Sequence, residues 1–281
     1  MSNRIGLLRL DYIFSVVTPM LIAIYLNGLN PLDYIDIIVG FAMLAITGNT
    51  WNDVIDMKDP NEKETLQRVE GYHPREIFTI GLSTFVLGVV LLLRTCFAYW
   101  INAIFLVIII AMVLGYCVWF KPVPILNHIL LGASHIVLPY FMIKIDAAGL
   151  NTPWGSLFLS SDEWILMFAF FFFAITGEFV HEVIDGDSLR KHLSLRQCQI
   201  VIWIFSILTL CFAIYAFFTV LWTAIYFLPL LFFPIGIMFT FRRPTESTKG
   251  VKDVGILVGN FLMLFFMCLI ILRLRGIIVI Y

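Results

Sequence analysis

The chain has 281 residues, of which 61% are hydrophobic and only 13% are charged. Soluble globular domains contain about 45–50% apolar and about 25% charged residues, so this composition excludes an ordinary soluble domain. The formal net charge is −1, so the protein has no overall positive field that would attract nucleic acid. Because the apolar residues occur in long blocks, which is typical of membrane-spanning helices, we expect an integral membrane protein.

The apolar blocks predict nine membrane-spanning helices. A hydrocarbon core of about 30 Å is crossed by about 20 helical residues. Pro, Asn and Gly residues in NGLNP, KPVP and FRRP mark breaks between blocks. In chain order the predicted spans are 9–28, 33–51, 76–95, 98–120, 124–144, 163–183, 198–219, 222–241 and 254–275.

The Lys and Arg residues are distributed unequally between the two sides of these spans. Placing the N-terminus in the cytoplasm puts 14 of the 18 Lys and Arg residues on the cytoplasmic side. The positive-inside rule favours this orientation. We therefore expect a multi-pass protein whose N-terminus, and whose loops after the second and sixth helices, are cytoplasmic.

Two acidic stretches repeat at the ends of the second and sixth predicted helices. Residues 47–59 read TGNTWNDVIDMKD, and residues 176–187 read TGEFVHEVIDGD, with Thr-Gly and Val-Ile-Asp recurring after a shift of 129 residues. Four helices separate the copies, an even number, so the copies have parallel topology. We expect one all-α domain, 1–281, with pseudo-symmetric four-helix halves (about 9–120 and 124–241) around a central cavity, plus a ninth helix.

Each acidic stretch groups polar side chains on one helix face. On a continuous helix Asn52, Asp56 and Asp59 would share a face. Carboxylates at a membrane are costly unless a cation neutralises them. Their oxygens suit Mg²⁺, which often binds through a few carboxylates plus substrate phosphates, so two facing sets would hold Mg²⁺ and a diphosphate. The candidate metal ligands are Asp53, Asp56, Asp59, Glu178, Glu182, Asp185 and Asp187.

The sequence also admits other interpretations of the acids. Coincidence would explain the repeat, but five identities in ten positions favour a duplication. Solvated helix caps would explain one stretch but not two matched ones. In an ion pathway we would expect acids nearer the bilayer midplane. A zinc protease motif, H-E-x-x-H, would need His where Asp185 stands.

The paired motifs resemble those of the UbiA superfamily of intramembrane prenyltransferases. Its first signature, N-D-x-x-D-x-x-x-D, is similar to the sequence from Asn52, and its second is a D-x-x-x-D-type stretch four helices later. GYCVWFKPVPILNHILLG resembles the family's Tyr…Leu-Lys…Asn stretch and places Tyr116, Lys121 and Asn127. LQRVEGYHPRE resembles another family segment, with Arg68 as its arginine. The resemblance covers essentially the whole chain.

The chain departs from the family pattern at the end of each motif. Pro60 and Leu189 stand where the family has its last Asp, so Asp59 and Asp187 would have to substitute. The family's usual Lys-Asp pair reads His181-Glu182. These departures argue against assignment to a well-known branch of the family.

The resemblance implies an enzyme of isoprenoid lipid biosynthesis. It would transfer a polyprenyl group from an allylic diphosphate, such as geranylgeranyl diphosphate, to an acceptor within the membrane, with Mg²⁺ as cofactor and diphosphate as product. The implied catalytic residues are Asn52, Asp53, Asp56, Arg68, Tyr116 and Lys121. The implied substrate-binding residues are Asn49, Asn127, His181, Arg190 and Lys191. A terpene cyclase on the same scaffold, which uses no acceptor, and a transporter of lipid or ions are the alternatives.

Overall fold

The computed structural model is helical throughout the part of the chain that it describes, with no β-strand there, which confirms the predicted all-α class. It describes residues 4–60, 62–148, 160–186, 188–219, 232–243 and 249–277. The α-helices are α1 (Phe14–Leu26), α2 (Ile35–Asp56), α3 (Lys63–Arg68), α4 (Pro74–Ala98), α5 (Trp100–Gly115), α6 (Leu126–Gly132), α7 (Leu138–Ala148), α8 (Ser161–Asp185), α9 (Ser188–His192), α10 (Leu195–Thr219), α11 (Phe232–Thr240) and α12 (Lys249–Leu274).

Eight helical segments of the described chain are long and apolar enough to cross a membrane. They correspond to eight of the nine predicted spans, and the protein is an integral, multi-pass membrane protein. The eighth predicted span, 222–241, lies partly outside the described residues, and its described part contains α11. The segments are Gly6–Leu26, Pro31–Asp56, Pro74–Ala98, Trp100–Phe120, Leu126–Ala148, Glu163–Asp185, Leu195–Thr219 and Val254–Leu274.

The polarity of the bundle is arranged for a lipid environment. Large apolar side chains such as Phe97 and Val107 are exposed on its outer face, whereas Asp53, Asn102 and Asn127 are buried. In hydrocarbon, polar groups must be satisfied within the protein, so they face the interior. Interior polar residues are therefore where the chain can carry chemistry.

The bundle contains two similar closely packed helix pairs and a buried first helix. In α1 every residue from 16 to 25 is buried, as expected of a helix that is apolar on all sides. The closest packing joins α2 to α4 and α8 to α10. A Cβ on Gly88 of α4 would lie 2.9 Å from the Gly40 carbonyl oxygen of α2, so glycine permits this approach.

Both acid-bearing helices end at the same point of the repeated motif. Helix α2 ends at Asp56, five residues beyond its predicted end, and α8 ends at Asp185, the matching position. Gly186, with φ of +79°, caps α8 in the left-handed conformation that glycine tolerates. The expectation that Asp59 continues the face of Asn52 and Asp56 is wrong, because the helix stops before it.

Two short helices and a π-helical segment place the basic residues next to these ends. Helix α3 follows α2 and carries Arg68, and α9 follows α8 and carries Arg190 and Lys191. The segment Tyr116–Phe120 is π-helical and leads directly into Lys121. Single π turns inside α-helices are frequent at functional sites. Neither short helix was predicted, since five or six residues are too few to show an apolar period.

Candidate active site

Asp53 forms a buried ion pair with Arg68. The Asp53 side chain is 0% exposed, and its carboxylate accepts hydrogen bonds from Arg68 Nε (3.0 Å) and Nη2 (2.7 Å). A second guanidinium, that of Arg9, lies 3.9 Å from Asp53 Oδ1. A bidentate guanidinium fixes both carboxylate oxygens in one plane. The first acidic stretch thus holds two cations beside one carboxylate.

Asp56 is held by Lys121 and Asn52. Lys121 Nζ donates to Asp56 Oδ1 at 2.6 Å and to Glu62 at 3.2 Å, and Asn52 Nδ2 donates to Asp56 Oδ2 at 2.6 Å. Burial by itself lowers the pKa of Lys121, but the carboxylates of Asp56 and Glu62 outweigh burial and raise the pKa above its usual value. Lys121 is therefore a fixed cation at neutral pH.

The carbonyl oxygen of Asn52 is buried and has no hydrogen-bond partner among the described residues. Burying an acceptor without a hydrogen-bond partner destabilises the fold by about 1–3 kcal/mol. A ligand that binds this oxygen would remove that cost. It lies on the residue whose amide nitrogen already holds Asp56. An amide oxygen beside carboxylates is a hard donor set that suits Mg²⁺. The residues present therefore fit a magnesium ion.

In the second stretch, Glu182 is held by neutral groups of the described chain. Asn127 Nδ2 donates to Glu182 Oε1 at 2.6 Å, and the backbone N–H of Leu189 donates to Oε2 at 2.9 Å. His128 Nε2 lies 3.4 Å from Glu182 Oε1, with its ring 4.3 Å from that of Phe179. These contacts orient the Glu182 carboxylate in a defined direction.

Asp185 lies close to His181, and His181 is hydrogen-bonded to Tyr12 of the N-terminal segment (residues 4–12). The His181 Nδ1 to Asp185 Oδ2 distance is 2.9 Å, and the Tyr12 hydroxyl lies 3.0 Å from His181 Nε2. Tyr12 ends a short 3₁₀ turn before α1. The second stretch is thus connected to a part of the chain distant in sequence.

Two chains of contacts bring the acidic stretches to one site. In one, Lys121 holds Asp56, while Asn127 donates both to the Lys121 carbonyl (3.3 Å) and to Glu182. In the other, Arg9 lies beside Asp53 and over the Tyr12 ring, at 4.2 Å from its centroid.

The Tyr116 side chain supports the same conclusion. It lies within electrostatic range of Asp56 on α2 and of Glu178 and Glu182 on α8. The structure therefore brings the ends of α2 and α8 together.

Several other predicted residues lie at the margin of this site. Asn49 and Glu178 each lie one turn earlier on α2 and α8, and both are partly exposed. Arg190 Nη1 donates to the Leu193 carbonyl at 2.9 Å, and Lys191 is exposed on α9. Asp59 lies in the turn after α2. Asp187 falls outside the described residues.

The carboxylates are paired with protein groups and do not form a closed metal cage. Among the residues described, no three His, Cys, Asp or Glu side chains gather closely enough to hold a metal ion alone. Magnesium commonly binds through one or two carboxylates, completed by waters and substrate phosphates. The arrangement thus suits a metal that binds together with an anionic ligand.

Three residues of the site were not predicted. Arg9, Tyr12 and Glu62 contact Asp53, His181 and Lys121 respectively. The backbone of Arg9 is unusual, with a φ of +44° that residues other than glycine rarely adopt. No sequence pattern predicts that angle, so nothing in the sequence indicated the role of Arg9.

Comparison with known proteins places the chain in a family. Residues 14–254 match the UbiA prenyltransferase family. A UbiA homologue from Archaeoglobus fulgidus, bound to GPP and Mg²⁺, has a similar structure, with a TM-score of 0.67, 13% identity and coverage of 94% of this chain and 98% of that one. The same homologue bound to DMAPP and Mg²⁺ gives a TM-score of 0.64, 14% identity and coverage of 94% and 97%.

The likeness to the archaeal homologue is one of fold, since the identity is low. No curated protein sequence matches the chain. The family match nevertheless extends from the start of α1 into α12. The chain belongs to the UbiA prenyltransferase family.

Proposed function

We propose that the protein transfers a polyprenyl group from an allylic diphosphate to an acceptor within the membrane, with Mg²⁺ as cofactor. The convergence of the two acidic stretches, with Arg68 and Lys121 paired to Asp53 and Asp56 of the first, carries the proposal. The archaeal homologue of the same fold binds GPP or DMAPP together with Mg²⁺. In this chain the acidic residues of the site lie at the matching ends of α2 and α8.

The site residues fall into two groups, those that would bind the metal and those that would bind the diphosphate. Asn52 and Asp56 on α2, with Glu182 and Asp185 on α8, are the proposed metal ligands. Asp53, Asp59 and Glu178 lie on or next to the same two helix ends. Asp56 accepts from Lys121, and Glu182 accepts from Asn127, which also donates to the Lys121 carbonyl. Bound Mg²⁺ would neutralise negative charge on the leaving diphosphate.

Lys121 and Arg68 would bind the diphosphate oxygens directly. In the reaction, the bond between prenyl C1 and the diphosphate oxygen breaks, and both electrons leave with the diphosphate. Two preorganised cations stabilise that developing charge without having to reorient. The acceptor then attacks C1 and releases a proton. Because water would capture the allylic cation, the prenyl chain must lie in a dry part of the bundle.

We further propose that the site opens to the cytoplasm and that the two halves of the bundle are related by an internal repeat. The close packing of α2 with α4, and of α8 with α10, supports the repeat, since the pairs occupy matching places in the two halves. The positive-inside bias supports the orientation.

The proposal can be tested with purified protein in detergent and geranylgeranyl diphosphate, with and without Mg²⁺ and a panel of acceptors. We expect Mg²⁺-dependent diphosphate release that requires an acceptor. Asp56→Asn and Asp185→Asn should abolish turnover while leaving the protein folded, because each removes a charged oxygen donor from the metal set. Asp36→Asn is the matched control, since Asp36 lies at the opposite end of α2, paired with Arg94.

The possible results separate the candidate functions. Release without an acceptor, giving a cyclic hydrocarbon or alcohol, would identify a terpene cyclase. Near wild-type product from Asp56→Asn would overturn the site assignment. No release with any prenyl length or acceptor would favour a transporter.

A further inference from the structure

The N-terminal segment crosses the candidate site and contacts both acidic helices. Arg9 lies beside Asp53 of α2, and Tyr12 contacts His181 of α8. The segment is anchored from two sides: Leu7 is buried in a small cluster with Val69 and Ile77. On the other side, Asn260 Nδ2 of α12 donates to the Asp11 carbonyl at 2.7 Å. Tyr12 is therefore held in place by contacts that do not involve His181.

Asp185 and Tyr12 contact opposite nitrogens of the His181 ring. Asp185 Oδ2 lies 2.9 Å from Nδ1, and the Tyr12 hydroxyl lies 3.0 Å from Nε2. A hydroxyl can either donate or accept, so Tyr12 can pair with Nε2 in either protonation state of that nitrogen. Without Tyr12, the ring would lose the contact that restrains its Nε2 side.

We propose that Tyr12 and His181 are positioning residues that fix the Asp185 carboxylate for metal binding. This inference rests on the proposed function, in which Asp185 is a metal ligand. Asp185 is the last residue of α8, followed by a glycine cap, so the helix itself restrains the side chain little. His181, one turn earlier, supplies the restraint, and Tyr12 holds the His181 ring.

Residues that orient metal ligands have a measurable effect on metal affinity. Removing such a group typically weakens metal affinity by about 10–100-fold. In this chain the His181 ring connects the N-terminal segment to the acidic helix, since each of its two nitrogens meets one of the two partners.

The test measures metal binding without turnover. Mn²⁺ replaces Mg²⁺ and is titrated into purified protein with the unreactive analogue geranylgeranyl S-thiolodiphosphate, while free Mn²⁺ is followed by electron paramagnetic resonance. We expect Tyr12→Phe to weaken Mn²⁺ binding about tenfold, at the lower end of that range. The Mg²⁺ concentration for half-maximal diphosphate release should rise in parallel, with kcat at saturating Mg²⁺ little changed.

A double-mutant cycle tests whether the two residues act in series. His181→Asn places an amide N–H near the position of Nδ1, so it should still restrain Asp185 in part and keep part of the Mn²⁺ affinity. His181→Leu removes the polar contact and should weaken Mn²⁺ binding further. In the His181→Asn background, Tyr12→Phe should have no further effect, because the nitrogen that Tyr12 contacts is gone. Additive effects would overturn the series arrangement. If Tyr12→Phe fails to fold, the His181→Asn and His181→Leu comparison still decides, and equal affinities would overturn the proposal.

Tyr140→Phe is the matched control. It removes a tyrosine hydroxyl that donates to a carboxylate, Glu163, at 2.8 Å, but at the opposite end of the bundle. Its Mn²⁺ affinity should equal that of the wild type. Unchanged affinity in Tyr12→Phe would overturn the inference and leave the proposed function intact. A wild-type protein that binds no Mn²⁺ with the analogue would contradict both.

Discussion

At the scale of single residues, the site is defined by how its charges are compensated. Asp53 accepts two hydrogen bonds from Arg68, and Asp56 is paired with Lys121. The spacing of the acidic stretch predicted the two carboxylates, and the resemblance to the UbiA family implied the two cations. The sequence could not predict the pairing, since the partners are separated by 15 and 65 positions and meet only in the folded chain.

The Lys121 ion pair gives a prediction about pH. The pKa of Lys121 is raised by Asp56 and Glu62, although burial opposes the rise. A cation whose pKa is raised on folding stabilises the protein fully below its unfolded-state pKa of about 10.4, and the stabilisation is lost as the pH rises through the folded-state pKa.

We therefore expect Lys121→Gln to lower the unfolding temperature in detergent by the same amount from pH 7 to pH 9. The variant leaves Asp56 without its cation, which costs about 1–3 kcal/mol. Thermal unfolding of both proteins across this pH range checks the prediction. A difference that shrinks before pH 9 would mean that Lys121 loses its proton earlier and that its pKa is lowered.

At the scale of elements, the apolar pattern predicted the long helices but not the ends that matter for the site. Helix α2 was expected to end at residue 51, where the apolar run stops, but continues to Asp56. The last turn is polar, and its stability comes from Arg68 and Lys121, which a local pattern does not show. Apolar periodicity reports burial in lipid, so it misses turns stabilised by charge.

Two glycines on different helices should respond oppositely to alanine. At Gly177 of α8 a Cβ would meet no atom within 4 Å, so Gly177→Ala should raise the unfolding temperature by removing the entropic cost of glycine, about 0.5–1 kcal/mol. At Gly88 a Cβ would lie 2.9 Å from the Gly40 carbonyl oxygen, so Gly88→Ala should destabilise by about 1–3 kcal/mol. Thermal unfolding of the two variants in one detergent checks both signs. Stabilisation by Gly88→Ala would contradict the close packing of α2 on α4.

At the scale of the whole molecule, the proposed parallel repeat would account for both acidic stretches reaching one membrane face. Helices α2 and α8 run in the same direction with four predicted spans between their ends, and each ends at the last Asp of the shared motif. A parallel arrangement sends both ends to the same side. The signal for the proposed repeat is the set of identities that the two acidic stretches share. The crossing of the site by the N-terminal segment lies outside the repeat and left no such signal.

The proposed orientation can be measured with single cysteines in a background whose five native cysteines are replaced by alanine. Gln67, exposed on α3 after the end of α2, should be cytoplasmic, and Leu32, exposed before α2 begins, should face the other side. A membrane-impermeant maleimide should therefore label Gln67→Cys in inside-out vesicles and Leu32→Cys in right-side-out vesicles. The reverse pattern would place the candidate site on the far face. The diphosphate would then have to be supplied from outside the cytoplasm, against the charge distribution that favours cytoplasmic loops.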